Sequence, residues 1–209
     1  MSRNKWAEMP VPRMEKTNPM RILDRAGVEY EVLDYTASGA VSGPDVAAAL
    51  GEDPAEAFKT LVTRGKSDRL YVFVLPVSKE LDLKKAAASV GEKSVEMIKS
   101  KELLPTTGYV HGGCSPLGMR RPLRTVVDSS VSSLGRMYFS AGKIGLQVRM
   151  DPKDLPKVLD FAVADLCRRR RGSVVLLDDP DLHSAAFEVG LGNILQHAVP
   201  EVAVHLDHG

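Results

Sequence analysis

Cysteine is nearly absent from the 209-residue sequence, Cys114 and Cys167 being the only two. They stand too far apart for a Cys-x-x-Cys redox or metal pair, and two thiols make no disulfide framework of the kind that staples small secreted domains. Aromatic residues make up only 5% of the chain, with Trp6 the single tryptophan. The paired stacking aromatics of an RNA-recognition module are therefore missing. Long apolar runs are missing too. The best, around Leu70 to Val77, is interrupted by Pro76 and falls far short of the roughly 20 residues that cross a bilayer. Arg3, Lys5, Arg13 and Lys16 have no apolar stretch behind them, which argues against a secretory signal and points to a cytoplasmic protein with no membrane partner.

Lysine and arginine are absent after Arg171. The remaining residues hold six acids, from Asp178 to Asp207. The net charge of +1 therefore divides into an acidic tail and a body, residues 1–171, in which 28 Lys and Arg face 21 Asp and Glu for a net +7. A basic body suits an anionic partner such as RNA or a phosphate, because clustered cations concentrate anions and gain from counterion release.

What is present is an alternation of short helical and extended signals. Residues 1–19, with Pro10, Pro12 and Pro19, read as an arm. Met20 to Ala26 is a short helix stopped at Gly27, and Glu29 to Tyr35 alternates as a strand does. Ser42-Gly43-Pro44-Asp45 opens a helix that ends at Gly51. The reading then places Phe58 and Lys59 on a helical turn restarted at Asp53-Pro54. Leu70 to Val77 is the middle strand of a sheet, and Leu81 to Val90 is a helix ending at Gly91. Thr125 to Val127 is a strand. Arg136 to Ser140 and Gly145 to Met150 pair across Ala141-Gly142-Lys143. Asp151-Pro152 caps a helix running to about Arg169. Past Gly172, Leu182, Ala185, Ala186 and Val189 recur at helical spacing in an extension too short for a core of its own.

Several familiar motifs fail on inspection. Gly65-Lys66-Ser67 ends like a phosphate loop, but Thr60 stands where the first glycine is needed. Gly113-Cys114-Ser115-Pro116-Leu117 lacks the closing glycine of a nucleophile elbow. His205 and His208 beside Asp207 read as terminal surface residues, so neither a metal nor a cofactor is expected. Cys114, three residues after His111, reads as a small side chain filling a loop. Lys59 is the cation of interest. It sits between Phe58 and Leu61-Val62, where an ammonium persists only if paired or facing an anion; the alternative is a lysine snorkelling to solvent. Gly112-Gly113 can present successive backbone N–H groups to an oxyanion or a phosphate, although a glycine pair also serves as a plain turn.

Phe58-Lys59-Thr60-Leu61, Leu81-Asp82-Leu83-Lys84-Lys85, Thr107-Gly108-Tyr109, the loop Gly112 to Gly118 and Ser140-Ala141-Gly142-Lys143-Ile144-Gly145-Leu146 together resemble the YbaK family. Its members are free-standing relatives of the editing domain inserted in bacterial prolyl-tRNA synthetases. The resemblance implies a mixed α/β fold, a single compact domain over residues 20–168 with a curved mixed β-sheet flanked by helices. The arm 1–19 and an acidic extension 169–209 lie outside it.

The implied activity is trans-editing hydrolysis of mischarged aminoacyl-tRNA, with cysteinyl-tRNA(Pro) the first substrate. It needs no cofactor, and its partners are the tRNA acceptor end and prolyl-tRNA synthetase. Lys59 falls on the family's essential lysine and Thr60 follows it. Tyr35, Gly113 and Ser140 fall on other pocket positions, and Gln147 replaces an acid common in this branch. In that branch the cysteinyl thiol attacks its own ester. Lys59 would then fix the acceptor-end phosphate or the substrate, with the Gly112 and Gly113 N–H groups as oxyanion donors and Cys114 a bystander. Two alternatives stand beside it: a deacylase for alanyl- or seryl-tRNA that uses water, and a non-catalytic tRNA-binding or synthetase-associated module.

Overall fold

The computed structural model describes residues 15–168. The extension beyond, its helical spacing and His205 and His208 lie outside the described residues, as does most of the proline-bearing arm. Within them the chain forms four helices and eight strands. In order these are α1 (Asn18–Arg25), β1 (Tyr30–Asp34), α2 (Gly43–Leu50), β2 (Phe58–Gly65), β3 (Leu70–Pro76), α3 (Leu83–Val90), β4 (Val95–Met97), α4 (Ser100–Thr107), β5 (Arg124–Asp128), β6 (Met137–Ser140), β7 (Leu146–Met150) and β8 (Phe161–Ala164).

The strands form two sheets where one curved sheet is expected. One has the order β1-β7-β6 and is antiparallel throughout; the other has the order β4-β2-β3-β5-β8, with β3, β5 and β8 parallel. They join at a single bridge, Ala57 to Tyr138, where the Tyr138 N–H donates to the Glu56 carbonyl at 3.0 Å. The cleft described below is lined by residues of β2 and of the β6–β7 pair.

The five-stranded sheet is covered on both faces, which is why β3 reads as an unbroken apolar run. On one face Phe58, Val62, Val72, Val74 and Val127 pack with Phe139, Leu146 and Val148 of the small sheet and with Met20 and Leu23 of α1. On the other, Tyr71, Phe73, Leu75 and Val126 pack on Ala86, Ala87 and Val90 of α3. Phe73 and Phe139 are fully buried, each contributing on the order of 2–3 kcal/mol of transfer free energy.

Local signals set the helix ends. Ser42 Oγ accepts from the Asp45 N–H, and Pro44 occupies the first turn, where its missing donor costs nothing. Gly51 closes α2 in the left-handed region at φ +68°, its N–H on the Ala48 carbonyl and that of Glu52 on the Ala47 carbonyl at 2.8 Å. Asp82 caps α3 by accepting from the Lys84 and Lys85 N–H groups.

Two expected helices are absent. Phe58 and Lys59 begin strand β2, and Asp53-Pro54 makes only a turn in front of it. After Asp151 the chain makes a 3-10 turn over Pro152–Lys157 and then β8, in place of a helix to Arg169. Pro156 withholds a donor and crowds the preceding turn, so an α-helix cannot propagate, and Phe161–Ala164 instead adds to the parallel edge of β5.

Candidate active site

The upper half of β2 has only one strand neighbour. β3 pairs along its whole length, whereas β4 reaches only Thr63–Gly65. Val62 turns its carbonyl to the β4 side, where it accepts from the Ile98 N–H at 3.2 Å. By the alternation of an antiparallel ladder, the backbone polar groups of Thr60 face the same, unpaired edge. A cavity of about 380 Å³ opens there, between β2, the loop before α2, the glycine loop after α4 and the β6–β7 pair.

Of the residues expected to form a site, Tyr35, Lys59, Thr60, Gly112, Ser140 and Gln147 all line this cavity, together with His111 and Cys114. Four separate stretches of sequence thus converge on it. Ser140 and Gln147 are direct cross-strand partners of β6 and β7 and present neighbouring polar groups on one face. Tyr35 is held by its N–H on the Gly145 carbonyl at 2.8 Å. The Thr60 hydroxyl oxygen is buried without a hydrogen-bond partner among the described residues.

Lys59 is half-buried. Its ammonium donates to the Lys79 carbonyl at 2.5 Å and the Val77 carbonyl at 3.4 Å, where the chain leaves β3. Burial lowers its pKa, opposed by the nearby Cys167 and Glu80. The ammonium is thus held on two main-chain oxygens, of which that of Val77 belongs to a residue lining the cavity, and it makes no ion pair among the described residues.

The glycine pair divides its work. The Gly113 N–H closes a turn onto the Val110 carbonyl at 3.0 Å, and Gly113 is not on the cavity wall. Gly112, at φ +80°, takes the left-handed conformation that the third residue of a type II turn requires. Its N–H has no acceptor among the described residues. A side chain at Gly113 would press on the Ile144 backbone nitrogen at 3.2 Å. Gly113 thus lets the loop lie against the β6–β7 connection, and Gly112 offers the donor.

Cys114 lines the cavity, but burial pushes its thiol up to about 12, against a weaker opposing hydrogen bond from Thr107. A thiol so held is protonated at neutral pH and is a poor nucleophile.

The sequence reading missed Glu52. It lies behind Gln147, whose amide, with Nε2 turned to it, donates to both carboxylate oxygens at 2.8 and 3.0 Å. Burial pushes the Glu52 carboxyl up to about 7, with Arg149 opposing and Glu56 adding to the rise. A wider groove of about 670 Å³, between Pro116–Thr125 and Val158–Ala162, collects Arg121 and Arg124 but none of the expected site residues.

The cleft of this mixed α/β fold brings together a half-buried lysine, a backbone N–H without an acceptor among the described residues and a buried threonine hydroxyl. A family model described as the aminoacyl-tRNA editing domain matches residues 38–158, and the chain belongs to that family, whose members remove amino acids from tRNA. It is 37% identical over 153 residues to the EbsC protein of Enterococcus faecalis, which is named as a Cys-tRNA(Pro)/Cys-tRNA(Cys) deacylase; the match covers 73% of this chain and 93% of that protein. Among solved structures, a trans-editing enzyme for prolyl-tRNA synthetase is 26% identical with a TM-score of 0.65, covering 74% of this chain and all of the other. A hypothetical protein at 23% identity shares the fold with a TM-score of 0.67 over 73% of this chain.

Proposed function

We propose that this enzyme deacylates cysteinyl-tRNA(Pro) and that the substrate supplies its own nucleophile. The thiol of the cysteinyl group attacks its ester carbonyl, forming a carbon–sulfur bond. The carbonyl pair moves onto its oxygen and returns as the ester C–O bond breaks; the ribose oxygen leaves with that bond's pair and takes up the thiol proton, and the cyclic thioester released is hydrolysed in water. The protein's part is to hold the ester and stabilise the developing oxyanion. The observation that carries this reading is the pairing, in one cleft, of an unspent Gly112 N–H with a Cys114 thiol that burial keeps protonated. The free N–H suits an electrophile's oxygen, and a protonated thiol is a poor nucleophile.

In this reading Lys59 fixes the acceptor end of the RNA or the substrate carbonyl, exchanging its carbonyl contacts for the ligand. Gly112 donates to the carbonyl oxygen, and Tyr35, Thr60 and Ser140 shape the pocket around the aminoacyl group. Gly113 acts through the turn that aims Gly112. A pocket made for proline discriminates against a smaller amino acid by only about 1–3 kcal/mol, so a second hydrolytic site restores accuracy. The deacylase works in the cytoplasm on tRNA charged by prolyl-tRNA synthetase, and that synthetase is its partner. The test is deacylation of cysteinyl-tRNA(Pro) by two variants. Lys59→Ala is expected to lower kcat/KM about 100-fold, the scale of one lost electrostatic contact to a transition state, and Cys114→Ala to leave it within about twofold. Full activity in the first or loss in the second overturns these roles.

A further inference from the structure

An aminoacyl ester brings to its pocket a charge that has no counterpart on the cavity wall. Its α-amino group, with an ordinary pKa of about 8, is largely an ammonium at neutral pH. The wall of the cleft carries Lys59 and His111 but no carboxylate. One carboxylate stands a single side chain behind it. Glu52 is placed by the end of α2: Gly51 turns the chain in the left-handed region, and the Glu52 N–H returns to the Ala47 carbonyl. Gln147 is placed by β7, between Leu33 of β1 and Ser140 of β6, and is only 6% exposed. Its Nε2 faces both oxygens of Glu52, so Oε1 is the acceptor this side chain has left.

The carboxyl is unpaired. Arg149 on β7 and Glu56 in the turn after α2 are the charged groups that act on it. Arg149 bonds to Glu31, and Glu56 to Arg136 at 2.6 Å. Glu52 enters no salt bridge among the described residues. A partly buried carboxyl without a cation destabilises the folded chain in its charged form, and such a group gains most from a cation arriving beside it.

We propose that Gln147 and Glu52 form the subsite for the substrate's α-ammonium: Gln147 Oε1 accepts its hydrogen bond, and Glu52 behind supplies the countercharge. The proposal rests on the aminoacyl-ester reading above and adds a substrate class to it. The enzyme takes esters with a free α-amine and turns away those whose amine is absent or acylated. Glu52 is a positioning residue, acting through Gln147.

Two non-hydrolysable probes test it: 3′-deoxyadenosine carrying cysteine through a 3′-amide, and the same molecule lacking the α-amino group. Calorimetric titration of the full chain at pH 7.5 is expected to show the amine-bearing probe binding about tenfold tighter to the wild type, as for a charge-assisted contact. Glu52→Gln is expected to reduce that preference to within about twofold. The double variant Glu52→Gln with Gln147→Glu, which returns a carboxylate to the site, is expected to restore it; thermal melts of each variant establish that it is folded. Equal binding of the two probes by the wild type, or an undiminished preference in Glu52→Gln, overturns the proposal while deacylation of mischarged tRNA by the wild type leaves the deacylase reading standing. A wild type that binds neither probe and deacylates no mischarged tRNA overturns both.

Discussion

Two acids in this protein respond to pH in opposite directions because hydrogen bonds to the charged form outweigh burial at one, while burial is the largest effect at the other. Burial works against the charge of Asp128 too. But its carboxylate accepts from the Ser130 N–H and hydroxyl, the Leu166 N–H and the Cys167 thiol, and the net effect lowers its pKa. Its stabilisation is present above the unfolded-state pKa and lost as pH falls through the folded one. Glu52, raised from 4.5 to about 7, binds a proton more tightly folded than unfolded, so its contribution is full below about pH 4.5 and is lost as pH rises through 7. Glu52→Gln is accordingly expected to raise the melting temperature at pH 8 and to lose that advantage by pH 5. A melting series from pH 5 to 9 measures it, and a stability gap independent of pH would contradict the assignment.

Residue type alone revealed much of the site: Lys59 stands out as a cation in apolar surroundings, and Gly112-Gly113 as a possible donor loop. Glu52 stayed hidden because its importance depends on contact with Gln147 from a distant strand, and nothing local in Gly51-Glu52-Asp53 marks it.

At the scale of elements, the strongest local signals were stops. The glycines after α2 and α3 and the β6–β7 pair were legible from composition. The misread element is β2. Its side chains are covered on both faces, and Lys59, Thr60 and Leu61 are all partly buried at the cleft, so no period of two appears and the apolar positions mimic a helical face. The second failure, the helix expected after Asp151, came from spacing that Pro156 overrules. β4 and α4 were not anticipated, and α4 matters because Glu102 in it bonds to Arg64 of β2 at 2.8 Å.

The β6–β7 connection offers a sharp test of how glycine sets the site. Gly145 has φ +93°, and a Cβ there would run into Thr36 beside Tyr35; Gly112 has φ +80° with only loose contacts to Ile144. Gly112→Ala is expected to cost about 1–2 kcal/mol, the left-handed penalty alone. Gly145→Ala should cost clearly more, because Thr36 must move as well. Urea unfolding of the two variants compares them directly, and equal midpoints would contradict the packing at the connection.

For the whole molecule, the two sheets meet at the bridge of Ala57 and Tyr138. The core closes both faces of the large sheet, and the cleft that gathers the expected site residues opens where β4 is too short to cover β2. Among the described residues no helix is long and apolar enough to cross a membrane. The net +7 over residues 1–171 gives the expected mode of RNA binding, a backbone attraction weakened by salt. KM for cysteinyl-tRNA(Pro) is expected to rise steeply between about 50 and 200 mM salt while the single-turnover rate holds. A KM indifferent to salt would mean that the basic body does not carry the tRNA.

The central claim, that the bound amino acid attacks its own ester, is tested most directly by single-turnover rates on tRNA(Pro) charged with cysteine and with serine, which differ by one sulfur for one oxygen. The cysteinyl ester is expected to be cleaved at least about 100-fold faster, a barrier difference of roughly 2.7 kcal/mol. Equal rates would mean that water or a protein group performs the attack.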